Sequence, residues 1–322
     1  MLIVSNKIFQ LQNITHSTNI FESKIDYFIT ASNCDKRGAE IANRFENKKV
    51  GNFIVFDYKK FRPLSNHESF GIYEQTKKLT NAHVVLCNDC DSDVFFLNSL
   101  AFKEDDVVAI DITNFCIPDL FRIMYVLKEI KMLKQVLVFY TEPKHYLYDN
   151  GFLWSTYKYM LGEREYTLIE EYYTSSNPDK TLLVCLLGFD KLVSKYVYEN
   201  ANVKDTIVIN GFPPYIPKLK DISLYSNYEL VSMLSKNNIF RAQANDPFSV
   251  YNTLVDIQNK NQDYILNICS LGTKPMALGA CIFALDNPGK VKVSYPVPKE
   301  YKINTTKENA EMWYYKIDFE RR

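Results

Sequence analysis

The chain carries one short segment twice, and nothing else in it constrains the fold as tightly. Tyr140-Thr141-Glu142-Pro143-Lys144-His145-Tyr146 returns 155 residues later as Tyr295-Pro296-Val297-Pro298-Lys299-Glu300-Tyr301, with four of the seven residues identical. Other pairs keep nearly the same spacing: Asp35-Lys36 with Asp190-Lys191, Glu74 with Glu229, Asn88-Asp89 with Asn245-Asp246, Thr113 with Ser270, and Pro118 with Pro275. A register held over most of 322 residues points to an internal duplication. The expectation is two similar halves about a pseudo-twofold axis, with a shared cleft.

Hydrophobic patterning sets the fold class. Short apolar runs at 27–30, 53–56, 83–86, 107–110 and 136–139 read as buried strands. Between them Gly38, Ile41, Ala42 and Phe45, then Leu120, Ile123, Met124 and Leu127, recur at helical spacing, and helices are also expected near 71–79 and 93–102. The second half repeats the order with strands at 182–186, 207–209, 264–268 and 291–295, while Phe240-Arg241-Ala242-Gln243-Ala244 is a poor strand former. Alternating strands and helices imply an α/β chain of two tandem Rossmann-like halves, each a doubly wound parallel sheet. The expected divisions are an extension at 1–24, a first half at 25–177 and a second half at 178–322. Tyr166-Thr167-Leu168-Ile169 and Met312-Trp313-Tyr314-Tyr315 read as equivalent closing strands.

Composition removes several function classes. Lys plus Arg equals Asp plus Glu at 38 each, so no overall field draws the protein to nucleic acid or an anionic membrane. No apolar run approaches the ~20 residues of a membrane span. Seven Cys without framework spacing suit a reduced, cytoplasmic protein. Cys87-Asn88-Asp89-Cys90 lacks the second ligand pair that zinc normally takes, so neither metal nor cofactor is expected. The four His are isolated, and no nucleophile motif stands out.

The sharpest local signal is Ser270-Leu271-Gly272-Thr273-Lys274-Pro275-Met276. It follows an expected buried strand and opens a helix rich in small residues. Gly272 lets the backbone approach closely, Thr273 suits an N-cap, and Pro275 fits a first turn. Free N–H groups and the helix dipole favour an anion there, and Lys274 adds a full charge. The plain alternative is a strand-to-helix turn with a solvated Lys.

This run, Gly272-Thr273-Lys274-Pro275-Met276 between a strand and a small-residue helix, resembles the signature of CARF-type Rossmann domains, sensors of cyclic oligonucleotides in bacterial and archaeal immunity. The resemblance implies a ligand cleft lined by Gly272, Thr273, Lys274 and Met276, with Ala31, Ser32 and Asn33 where that family has its first loop. It also implies a nucleotide-sensing or regulatory subunit of an anti-phage defence system, with a nucleotide ligand and an effector protein encoded nearby. The first half departs from the pattern with Phe115-Cys116-Ile117-Pro118, and no appended nuclease domain is recognisable.

The residues expected to hold the ligand are Ser32, Arg37, Lys144, Ser270, Gly272, Thr273, Lys274 and Lys299. Tyr140 and Tyr295 would either stack on a base or pack against their own helices. Asp35 and Asp190 precede helices and read as caps, or, in a rival enzymatic reading on nucleotides or nucleic acid, act with Asp111 as acid/base groups. A third reading is a non-catalytic assembly protein for a partner effector.

Overall fold

The computed structural model describes residues 10–16, 19–32, 35–45, 50–57, 82–86, 96–103, 105–130, 135–146, 148–149, 152–153, 165–216, 219, 221–297 and 306–319. The helix expected near 71–79 and the Cys87/Cys90 pair lie outside these residues. The chain divides into two units, Met1–Tyr146 with Ile303–Arg322, and Leu147–Lys302. Asn177-Pro178, where the sequence placed a boundary, lies inside the second unit.

In chain order the first unit contributes β1 (Gln10–Asn13), α1 (Asn19–Glu22), β2 (Ile25–Ser32), α2 (Glu40–Arg44), β3 (Val50–Asp57), β4 (Ala82–Leu86), β5 (Val108–Asp111), α3 (Ile117–Glu129) and β6 (Gln135–Tyr146). The second unit follows with β7 (Glu165–Leu168), β8 (Thr181–Leu186), α4 (Lys191–Asn200), β9 (Asp205–Gly211), α5 (Ile222–Ser226), α6 (Tyr228–Met233), β10 (Ile239–Ala242), α7 (Pro247–Lys260), β11 (Ile265–Ser270), α8 (Lys274–Asp286) and β12 (Val291–Val297). The chain then returns to the first unit as β13 (Thr306–Asp318).

Both sheets share one plan. The first runs β1-β13-β6-β5-β2-β3-β4 and the second β10-β9-β8-β11-β12-β7. Within each, five parallel strands stand in the Rossmann order 3-2-1-4-5, and an antiparallel strand lies beside the fifth. The α/β class follows from burial on both faces: all six residues of β8 are buried, and so are Phe53–Phe56 of β3 and all of β5. Ile239–Ala242 pairs with β9 despite its poor propensity, because tertiary pairing supplies what the local sequence lacks.

The first unit's apolar cluster forms where alternate strand residues meet helical ones. Phe28, Ala109 and Phe139 share a sheet face and pack with Phe21, Ile41 and Phe45. The Phe45 and Phe139 rings meet edge-on at 5.8 Å. In the second unit, α7 and α8 pack closely because Gly279 has no side chain: an added Cβ there would lie 2.1 Å from the Pro247 carbonyl oxygen.

Pairing of the closing strands differs from the sequence expectation. Tyr166 and Thr167 pair with Pro296 and Tyr295 of the second unit, whereas Met312 and Trp313 pair with Thr141 and Tyr140 of the first. Local patterning identifies such strands but not their partners, because pairing is non-local.

Candidate functional site

Open α/β sheets place ligands at the C-terminal ends of their strands. In the second unit β11 ends at Ser270, and the Leu271 N–H donates to the Leu186 carbonyl at 2.9 Å, so the turn begins as an extension of the sheet. Thr273 is the N-cap of α8: its hydroxyl accepts from the Met276 N–H at 3.3 Å and donates to the Ala244 carbonyl. Lys274 follows at the first helical position and Pro275 at the second. No acidic residue stands in this first turn. A cation at a helix N-terminus adds to the positive dipole end, so the turn concentrates positive potential.

The close backbone approach expected at Gly272 is made by packing. The Gly272 backbone is not left-handed; the positive-φ glycine among those described is Gly289. An added Cβ at Gly272 would instead lie 3.0 Å from the Met276 sulfur and 3.2 Å from the Leu187 carbonyl oxygen. The glycine lets the turn lie down on β8 and on α8.

Ser270 supplies a second polar group. It is 1% exposed, and its hydroxyl has no hydrogen-bond partner. By register Ser270 shares a sheet face with Leu186, Ile209 and Gly211. A Cβ at Gly211 would lie 3.1 Å from the Met276 sulfur, so this is the face that carries α8. Ser270 thus projects toward the side on which the helix begins. An unpaired buried hydroxyl costs about 1–3 kcal/mol relative to a satisfied one, and a ligand oxygen would remove that cost. Nearby, the Gly188 carbonyl accepts from Ser223 and Asn227, and Asp190 caps α4 through the Leu192 and Val193 N–H groups. Phe212, which follows β9, is 41% exposed beneath the Arg241 guanidinium.

The corresponding strand ends of the first unit carry other chemistry. Asp35 caps the short helix at Lys36–Ala39 and also receives the Arg37 side chain, from Nε at 2.9 Å and Nη2 at 2.7 Å. The remaining Arg37 nitrogen, Nη1, donates to the Thr141 carbonyl at 2.8 Å. Asn114 ties Asp35 to the loop after β5 through a bond of 2.9 Å to its carbonyl. Asp111, at the end of β5, is fully buried. Its Oδ1 accepts from the Thr113 N–H and hydroxyl, while its Oδ2 has no partner. Burial pushes this carboxyl up to about 7, against the opposing hydrogen bonds from Thr113 and the charge of Arg37. Trp313 donates to Glu142 at 2.7 Å.

The expected site residues therefore fall into separate groups. Ser270, Gly272, Thr273 and Lys274 come together on one turn of the second unit. Arg37 belongs to the first unit, engaged by Asp35 and Thr141. Lys144 belongs to the first unit too; it is exposed on β6 and pairs with Glu308 at 2.7 Å. Ser32 ends β2, with its side chain outside the described residues, and Lys299 lies outside them altogether. Tyr140 and Tyr295 are each 3% exposed, as packing residues are. Sequence reasoning missed the Asp111–Thr113–Thr141 network. Its one legible signal was an Asp closing an apolar strand, with a Thr two residues on.

Among the described residues no helix is long and apolar enough to cross a membrane, and no cluster of metal-ligating side chains occurs. No protein-family model and no curated protein matches the chain. Solved structures similar to it include a functionally unknown protein from Pseudomonas aeruginosa, at 10% identity and a TM-score of 0.25, covering 88% of this chain and 95% of that one. Another is a putative universal stress protein from Pseudomonas aeruginosa, at 9% identity and a TM-score of 0.26, covering 86% and 95%. The cytoplasmic domain of a prokaryotic cation chloride cotransporter matches at 10% identity and a TM-score of 0.24, covering 86% and 96%.

Proposed function

We propose that the second unit binds a phosphorylated nucleotide at the turn Ser270–Lys274, and that the protein is a sensor or regulatory subunit. The observation that carries this reading is the start of α8. A capped helix N-terminus, a first-turn lysine and a buried, unpartnered serine hydroxyl meet there. The backbone N–H groups and Lys274 would hold phosphate oxygens, and Ser270 would donate to the same group. These groups bind and neutralise charge; they are not an acid/base pair. Of the acids of the rival enzymatic reading, Asp35 and Asp190 are engaged as helix caps, and Asp111 is fully buried with one oxygen held by Thr113.

The resemblance of Gly272–Met276 to CARF-type domains supports a nucleotide over inorganic phosphate, and supports an anti-phage setting with an effector as partner. Calorimetry with a panel of adenosine phosphates and short oligoadenylates tests the site. Lys274→Ala is expected to weaken binding at least tenfold, about 1.4 kcal/mol. Unchanged affinity in that variant removes the turn from consideration.

A further inference from the structure

We propose that the two closing strands are exchanged between two copies of one module, and that β13 is a strap through which the chain beyond the second unit controls closure of the first. This inference is independent of the nucleotide reading; it rests on the repeat and on strand pairing. The segments ending in Tyr146 and Tyr301 place Tyr140 opposite Tyr295 in the repeat, and Thr141 opposite Pro296. Tyr295 and Pro296 pair with Thr167 and Tyr166. Tyr140 and Thr141 pair with Trp313 and Met312. Tyr166-Thr167-Leu168-Ile169 therefore holds the same place against β12 that Met312-Trp313-Tyr314-Tyr315 holds against β6. These are the same two segments whose sequences read as equivalent. Their last residues, Ile169 and Tyr315, are 1% and 0% exposed.

A tandem copy closed in the simplest way would use the strand that follows its own fifth strand. Here, past a two-stranded pair at Tyr148–Asp149 and Phe152–Leu153 that joins neither large sheet, the next strand after β6 closes the second sheet, and the strand following β12 closes the first. The consequence is asymmetric. The second unit is continuous, Leu147–Lys302, and contains its own closing strand. The first unit is complete only with residues beyond 302. Its strap is more than an ornament at the sheet edge: β13 stands between β1 and β6 and buries Met312, Tyr314, Tyr315 and Ile317. Through Trp313 it holds Glu142, the neighbour of Thr141, whose carbonyl receives Arg37. Withdrawal of β13 thus loosens the Arg37–Asp35 network as well as the sheet.

A protease site inserted between Lys302 and Ile303 of the full chain tests this. The folded protein is cut and diluted to about 100 nM, far below the millimolar effective concentration of a short tether. Hydrogen exchange is then read segment by segment. The expected result is exchange faster by about tenfold or more across Gln135–Tyr146, with Val291–Val297 and Glu165–Leu168 unchanged. In the uncut chain Tyr315→Ala is expected to give the same contrast. Loosening of Val291–Val297 with Gln135–Tyr146 spared, or no change in Gln135–Tyr146 under both perturbations, overturns the proposal.

Discussion

Asp111→Asn isolates a buried carboxyl of the first unit whose pKa burial raises. The wild-type carboxyl is fully buried, one of its oxygens has no partner, and its folded pKa is raised from 3.8 to about 7. A carboxyl raised in the folded state binds its proton more tightly there than in the unfolded chain. The stability it contributes is complete below the unfolded value and is lost as pH rises through about 7. A rise of that size corresponds to roughly 4 kcal/mol between pH 4 and pH 8, taken as an upper bound. The asparagine side chain would not titrate and would keep an oxygen for the two Thr113 bonds. It would also offer an amide on the sheet face that carries Thr30, whose hydroxyl lacks a partner. Urea unfolding, followed by Trp313 fluorescence in a Trp154→Phe background, measures the difference between the Asp111 chain and the variant from pH 5 to pH 8.5. The Asp111 chain should lose about 2–4 kcal/mol relative to the variant over that range, most steeply at about pH 5–6 and levelling off above about pH 7. Two stability curves that run parallel with pH would refute the buried-carboxyl argument.

Other substitutions separate the two units. Thr273→Ala removes the α8 cap; it should lower the second unit's unfolding free energy by about 1 kcal/mol and weaken nucleotide binding, read by urea titration and calorimetry. Gly279→Ala places a methyl against the Pro247 carbonyl and should destabilise the second unit by about 1–3 kcal/mol, with hydrogen exchange in Gln135–Tyr146 unchanged. Arg37→Met breaks the ion pair with Asp35 and the bond to Thr141; it should cost the first unit about 2–4 kcal/mol in urea unfolding while leaving calorimetric nucleotide affinity as it was.

Much of the fold was readable because burial on both faces leaves an unbroken apolar run, as at Leu182–Leu186. The caps were equally readable: Asp35 and Asp190 sit just before helices and accept from their first N–H groups. The Gly272–Met276 turn lies on contiguous residues, so its parts were identifiable together. Partners distant in sequence were not. Lys144 looks like a free cation until β13 brings Glu308 beside it, and Arg37 looks like a phosphate clamp until the Thr141 carbonyl arrives from β6. Tyr140 and Tyr295 carry a repeat that invites a binding role, yet both are buried, and the repeat itself fits a shared packing need. Asp111 was legible as an acid of the rival enzymatic reading, but its burial and its bonds to Thr113 were not, because a single acid ending an apolar strand resembles an ordinary strand terminus.

The central claim, that α8 begins at an anion site, is tested most directly by backbone amide shifts in the full-length, isotopically labelled chain titrated with an adenosine phosphate. The account predicts saturable movement of the Gly272, Lys274 and Met276 amides, abolished in Lys274→Ala, while the amides of Ile117 and Leu120, at the corresponding helix of the first unit, stay still. Amides at Gly272–Met276 that remain fixed while others in the protein shift and saturate would contradict it.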